Sequence, residues 1–194
     1  MRMKKTLGFV VLAGLLTACA HPIVISPDPA TLTKPTARID RNVGLVISPA
    51  DKGIQITSPG GGGDSVSYYP YKDLEFGFYS TLASVFLNVV PLNAVDEKQK
   101  ISQQDIGMIF LPKIQTTSSS ESMFTWPPTF FSVMIDYRML DPSGAQLSSG
   151  RVLGEGRAEF SDFKSDFALA AKRAGTDALN KLTDKLLASP ELRK

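Results

Sequence analysis

Apolar positions change period several times along the chain, and each change predicts an element. Over 42-50, NVGLVISPA is rich in β-branched residues and closes at a proline, which predicts a strand. GIQITS at 53-58 alternates Ile54 and Ile56 with polar residues and predicts a second, half-exposed strand. From Asp73 to Phe86 the period lengthens: Leu74, Phe78, Leu82 and Val85 fall three and four apart, the stripe of a helix. Two apolar runs follow, NVVPL at 88-92 and DIGMIFLPKIQTT at 105-117, the second being the more apolar and so the expected centre of a sheet. Strict alternation returns at 129-140, where Phe131, Val133, Ile135, Tyr137 and Met139 form one side. Asp141-Pro142-Ser143-Gly144 is a type I turn signal, and a return strand through 150-160 completes a hairpin. Last comes a helical stripe of Phe163, Phe167, Ala171, Ala174, Ala178, Leu182 and Leu186, stopped by Pro190. The predicted fold class is α+β, an antiparallel sheet with two helices packed on one face, formed by residues 41-194 as a single domain.

The first forty residues follow neither period. Arg2, Lys4 and Lys5 precede an apolar run from Leu7 to Leu16, which has the layout of a secretory signal. That run is little more than half of the roughly 20 apolar residues that a spanning helix needs. The residues that close it, Leu16-Thr17-Ala18-Cys19, resemble the lipobox of bacterial lipoproteins. The resemblance implies cleavage after residue 18 and acylation of Cys19, and two or three acyl chains form a lasting anchor. It also implies the periplasmic face of the outer membrane, because Ala20 stands where an aspartate would signal retention in the inner membrane. Pro22, Pro27, Pro29 and Pro35 then disfavour helix, so 19-40 is expected to be a lipidated tether with a reach of roughly 60 Å.

Charge changes the picture only after the signal is set aside. The net charge of +2 includes Arg2, Lys4 and Lys5, so the remaining side chains sum to −1. Lys and Arg are scattered, and no basic patch argues for nucleic acid. Cys19 is the only cysteine, so no intramolecular disulfide can staple the fold and apolar burial must hold it.

Candidate chemistry is sparse. The single histidine, His21, lies beside the anchor, which excludes a Ser-His-Asp triad or a His-rich zinc site within the domain. SPGGGGDS at 58-65 lacks the Lys-Ser or Lys-Thr and the following helix of a phosphate loop, so it reads as a hairpin tip. SDFK at 161-164 matches Ser-x-x-Lys without its partner motifs. GEGRAE at 154-159 runs on as strand, so its glycines are expected at bulges or close-packing points. Asp162 with Asp166, or Glu155 with Glu159, could serve as an acid and base, but the first pair is expected in the first turn of a helix and the second on a wet strand face. MFTWPPTFF at 123-131 holds the only tryptophan, and its Phe124, Trp126, Pro127, Pro128 and Phe130 form either a lid on the core or a partner-binding surface.

The order of elements, with GEGRAEF and the Ala-rich C-terminal helix ending near LLASPEL, resembles the YajG-like group of uncharacterised bacterial lipoproteins, and more distantly the TolB amino-terminal and CsgG types. That resemblance implies an envelope protein without assigned catalysis and carries over no site residues. The expectation is a non-catalytic accessory or scaffold lipoprotein, without cofactor or metal, that binds an envelope protein through a sheet edge or the Trp126 loop. The alternatives are a carrier of an apolar ligand held between helices and sheet, and a carboxylate-based enzyme acting on glycans.

Overall fold

A computed structural model describes residues 20–121, 126–159, 161–162 and 166–193 of the 194-residue chain. Its frame is a five-stranded sheet. β6 (Ile106–Ser119) is central, as its apolar sequence predicts, and β7 (Phe130–Leu140) and β8 (Gln146–Arg157) follow it antiparallel. On the other side of β6 lies β2 (Ile39–Val46), then β5 (Phe86–Leu92) at the edge, and both of these junctions are parallel. Parallel neighbours need a crossover connection. Between β2 and β5 that connection holds α2 (Pro70–Val85); between β5 and β6 it holds the six-residue α3 (Lys98–Gln103).

The β7–β8 hairpin forms at the predicted turn. Asp141 Oδ1 accepts from the Ser143 and Ala145 amides, and Gly144 takes a φ of 91° that suits glycine. Met108 and Phe110 of β6 and Phe131, Val133, Ile135, Tyr137 and Met139 of β7 are buried, as are Leu74, Phe78, Leu82 and Val85 of α2. The C-terminal helix, α4 (Leu169–Leu187), packs beside α2 and buries Ala171, Ala174, Ala178, Leu182 and Leu186. It begins later than the stripe suggests: Asp166 bonds the Ala168 amide through its side chain and the Leu169 amide through its carbonyl, a local turn that competes with helix. Asp162 and Asp166 therefore precede α4, and Phe167, predicted on the buried stripe, is 49% exposed.

The glycines of GEGRAE are close-packing positions. A Cβ on Gly154 would run into the Ala174 carbonyl and Ala178 amide of α4, and one on Gly156 into the Ala170 carbonyl and Ala174 amide. Helix and strand backbones meet there with only alanine between them, which leaves no room for an apolar ligand between α4 and β8.

The second sheet was only partly expected. β3 (Ile56–Pro59) pairs antiparallel with β4 (Ser65–Tyr68), and β1 (Ala20–Pro22) adds to β4 in parallel. Pro49 and Ala50, predicted to close the first strand, instead open α1 (Pro49–Lys52), because Ser48 and Asp51 make a reciprocal capping box with Pro49 in the first turn. Four hydroxyls join the small sheet to β6: Tyr68 bonds Thr116 at 2.7 Å and Ser58 at 3.1 Å, and Ser58 bonds Ser118 at 2.7 Å.

The segment expected to be a free tether is packed on the domain from its first described residue. Ile23 donates to the Ser67 carbonyl, Ile25 donates to Asp73 Oδ2 at 3.2 Å, and Ile25 is fully buried. Pro27 then lies against Gly77 of α2 and Gly175 of α4, and the Thr33 amide donates to Asn180 Oδ1 at 2.8 Å. Residues 20-33 are thus a strap over the two helices. Ile23, Ile25 and Leu32 supply the apolar positions that the prolines obscured.

Candidate functional site

Two of the features that the sequence singles out, the glycine run and the Trp126 turn, meet at the end of the domain where β1 begins. Cys19 and Phe124 lie outside the described residues. Ala20 is already paired with Ser65 at the start of β4. The turn between β3 and β4 is the glycine run 60-63, in which Gly62 and Gly63 take left-handed φ values of 65° and 84°. Its fold brings the Gly60 amide to the Asp64 carbonyl and the Gly61 amide to the Trp126 carbonyl, each at 2.9 Å. A Cβ on Gly60 would collide with that Trp126 carbonyl, so this glycine admits the tryptophan turn to the hairpin.

The side chains continue the contact. His21 bonds Asp64 through Nε2 at 3.3 Å, and its ring stacks on Trp126 at 4.2 Å between centroids and 20° between planes. On Trp126 the half-exposed Phe167 packs at 4.8 Å. Trp126 itself is half-buried against the main core, and Pro127 and Pro128 are buried. Phe130 is half-buried under the Arg157 guanidinium, 5.1 Å from its ring centre. Within the expected loop, then, the two prolines act as a lid on the core while Trp126 and Phe130 keep an outward face. His21 and Phe167 were not predicted to join this site. Their separation from Trp126 along the chain hides the cluster, and the one available signal was that both are aromatic rings beside a segment boundary.

The carboxylates do not converge. Asp162 bonds Arg173 at 3.0 Å, Asp166 bonds Lys172 at 2.9 Å, and Glu155 and Glu159 are exposed on or just beyond β8. Among the described residues no group of three or more His, Cys, Asp or Glu is placed to hold a metal ion. A groove of about 750 Å³ runs between the strap and α4, lined by Asp28, Asp166, Lys172, Arg173, Asp177 and Asn180 among others. Within it Lys172 pairs with Asp166, while Arg173 and Asp177 pair with Asp162 and Lys181 outside the lining, which suits a solvated seam between strap and helix.

The outer edge of β8, which might accept a partner strand, is occupied by α4. Arg173 donates to the Arg157 carbonyl at 2.6 Å, the Glu155 amide donates to Asp177 at 3.0 Å, Lys181 donates to the Leu153 carbonyl at 2.9 Å, and Lys185 donates to the Arg151 carbonyl at 3.2 Å. The match is metric: four helical residues rise about 6.0 Å and two strand residues about 6.6 Å, so every fourth side chain of α4 reaches every second peptide of β8.

Exposed aromatics appear elsewhere on α2 and at its start. Tyr69, Phe76 and Tyr79 are 36%, 61% and 41% exposed, and their spacing places them along one stripe. No described helix is long and apolar enough to cross a membrane.

Comparison with known proteins gives neither a matching family model nor a matching curated sequence. Solved structures with some likeness include a Xanthomonas campestris protein of family DUF330, at 12% identity and a TM-score of 0.49 over 88% of this chain and 93% of that one. A candidate lipoprotein from Caulobacter crescentus CB15 scores 0.31 at 14% identity, over 47% and 77% of the two chains. A candidate neuraminyllactose-binding hemagglutinin homolog from Helicobacter pylori scores 0.41 at 13% identity, over 79% and 84%. At these scores the likenesses assign neither a family nor an activity to this chain.

Proposed function

We propose that the protein is a non-catalytic lipoprotein of the bacterial envelope, anchored in the periplasmic face of the outer membrane through acyl chains on Cys19 and serving as an accessory or scaffold that binds an envelope protein. The observation that carries this reading is the position of the lipobox-like run Leu16-Thr17-Ala18-Cys19: it ends one residue before β1, so the modified cysteine would stand at the rim of a folded domain. The reading of binding over catalysis is supported by the single histidine, which is spent on Asp64 and Trp126, and by the pairing of Asp162 with Arg173 and of Asp166 with Lys172. An exposed aromatic stripe such as Tyr69, Phe76 and Tyr79 supplies the residue types on which protein interfaces depend.

Labelling cells with radioactive palmitate tests the anchor. Label is expected on the wild-type protein and not on Cys19→Ser, and an unlabelled wild-type protein sinks the reading. A photo-crosslinker at Phe76, with exposed Lys98 as control, tests the partner in intact cells. One envelope protein captured from position 76 alone supports a scaffold; equal capture from both positions removes the α2 stripe from consideration.

A further inference from the structure

The absence of slack between Cys19 and the first strand fixes which face of the domain meets the membrane. Consecutive Cα atoms lie about 3.8 Å apart, and Ala20 is held by pairing with Ser65. A lipid on Cys19 therefore leaves its bilayer within one residue step of β1. The groups beside that point are His21, the turn from Gly60 to Asp64, Trp126 and Phe167, joined by the stacking and hydrogen bonds described above.

The chemistry of this face suits a bilayer surface. Tryptophan favours the headgroup level, where one side of the indole is apolar and the other wet. Phe167 is a large apolar side chain left half exposed on top of Trp126. Of the acids near this face, Asp64 is engaged by His21, and Asp166, next to Phe167 in the chain, is paired with Lys172. We infer that this face lies against the phospholipid bilayer that holds the anchor, with Phe167 seated at the boundary between headgroups and acyl chains and Trp126 at headgroup level beside it. The inference rests on the lipidation of Cys19 proposed above. It deepens that reading by giving the domain one orientation, and it makes Trp126 a membrane contact, so that a protein partner is met elsewhere, as on the α2 stripe.

Trp126 is the only tryptophan in the chain, so its fluorescence reports this face alone. The full-length gene product is purified from cell membranes, its mass is measured, and it is reconstituted into vesicles of phosphatidylethanolamine and phosphatidylglycerol, with or without acyl chains brominated near the headgroup. Trp126 emission is expected to be clearly lower in the brominated vesicles than in the unbrominated ones, as for an indole at headgroup level. Phe167→Asp, a change at an exposed position, should keep the lipidated mass and far-ultraviolet dichroism of the wild type and lose most of that quenching. A protein whose mass carries lipid but whose emission is the same in both vesicles overturns the seating and leaves the anchor intact. A mass without lipid overturns the anchor, and the seating with it.

Discussion

At the scale of the residue, the glycines of β8 are the sharpest test of the packing. Gly154→Ala must push α4 off the sheet, because the new methyl would overlap helix backbone and not a flexible side chain. A loss of about 1–3 kcal/mol in urea unfolding is expected, the range for an overpacked core. Thr81 makes the opposite case: its hydroxyl is buried in α2 without a partner. Thr81→Val keeps the shape and removes the orphan, so it should raise the unfolding midpoint, by about 1 kcal/mol in free energy. Asp73 sets a pH dependence. Burial, the largest cause, pushes its carboxyl above the ordinary aspartate value, while the amides of Ile25 and Tyr69 and the charge of Lys72 pull it back. Its protonated form is thus favoured in the folded state. The contribution is full below the unfolded pKa and is lost as pH rises through the folded one. Asp73→Asn, which keeps an acceptor for Ile25, should flatten stability against pH across that window. Asp136 runs the other way: its hydrogen bond to Arg151 lowers its pKa, so its contribution appears above the ordinary value and is lost as pH falls. Of these features the sequence made the glycines legible, since GEGRAE fails as a nucleotide motif and has no other use for two glycines in a strand. Asp73 was not legible, because its partner Ile25 belongs to a segment that reads as tether.

At the scale of the element, the side chains of α4 that bond the outer edge of the twelve-residue β8 take up peptide groups that an edge strand would otherwise offer to another chain. The guard consists of side chains, so removing it should not unfold the domain. Asp177→Ala together with Lys181→Ala frees the Glu155 amide and the Leu153 carbonyl, and light scattering on a sizing column should then show a concentration-dependent rise in mass that the wild type, run in parallel, does not show. A monomeric double variant would mean that Arg173 and Lys185 suffice. Alternation gave away β7 and the hairpin because Phe131, Val133, Ile135, Tyr137 and Met139 are all buried, while the other side of β7 is mixed, with Arg138 exposed and Ser132 and Leu140 buried. The helical stripe gave away α2, yet its true start at Pro70 was missed although proline at the first helical position is a start signal. The parallel junctions of β2 were hidden for a different reason. Pairing direction depends on which connections cross the sheet, and α3 is too short to announce a crossover in the pattern.

At the scale of the whole molecule, the N-terminal strap joins residues that read as a tether to the core of the domain. Proline content suggested reach, but Ile23, Ile25 and Leu32 convert those residues into part of the core, with the prolines setting the extended backbone that lets a single strand of chain cross two helices. A free tether would tolerate Ile25→Ala without effect; a strap should lose about 2–5 kcal/mol, the cost of truncating a buried isoleucine. The same geometry bears on the proposed membrane seat. A single exposed phenylalanine is a weak contact with a bilayer, so its proposed seating would depend on the high local concentration that a zero-length connection to the proposed anchor would impose. Inserting a flexible Ser-Gly linker between Cys19 and Ala20 should leave the proposed anchor and the fold in place but would let the domain sample a large volume above the membrane. Such a variant should label with palmitate and sediment with membranes like the wild type. Its Trp126 should lose quenching by brominated lipid and gain quenching by aqueous acrylamide. Retained lipid quenching would mean that the face binds membrane by its own affinity, independent of the strap. Loss of sedimentation would mean that the linker had disturbed the modification of Cys19 and not the seat.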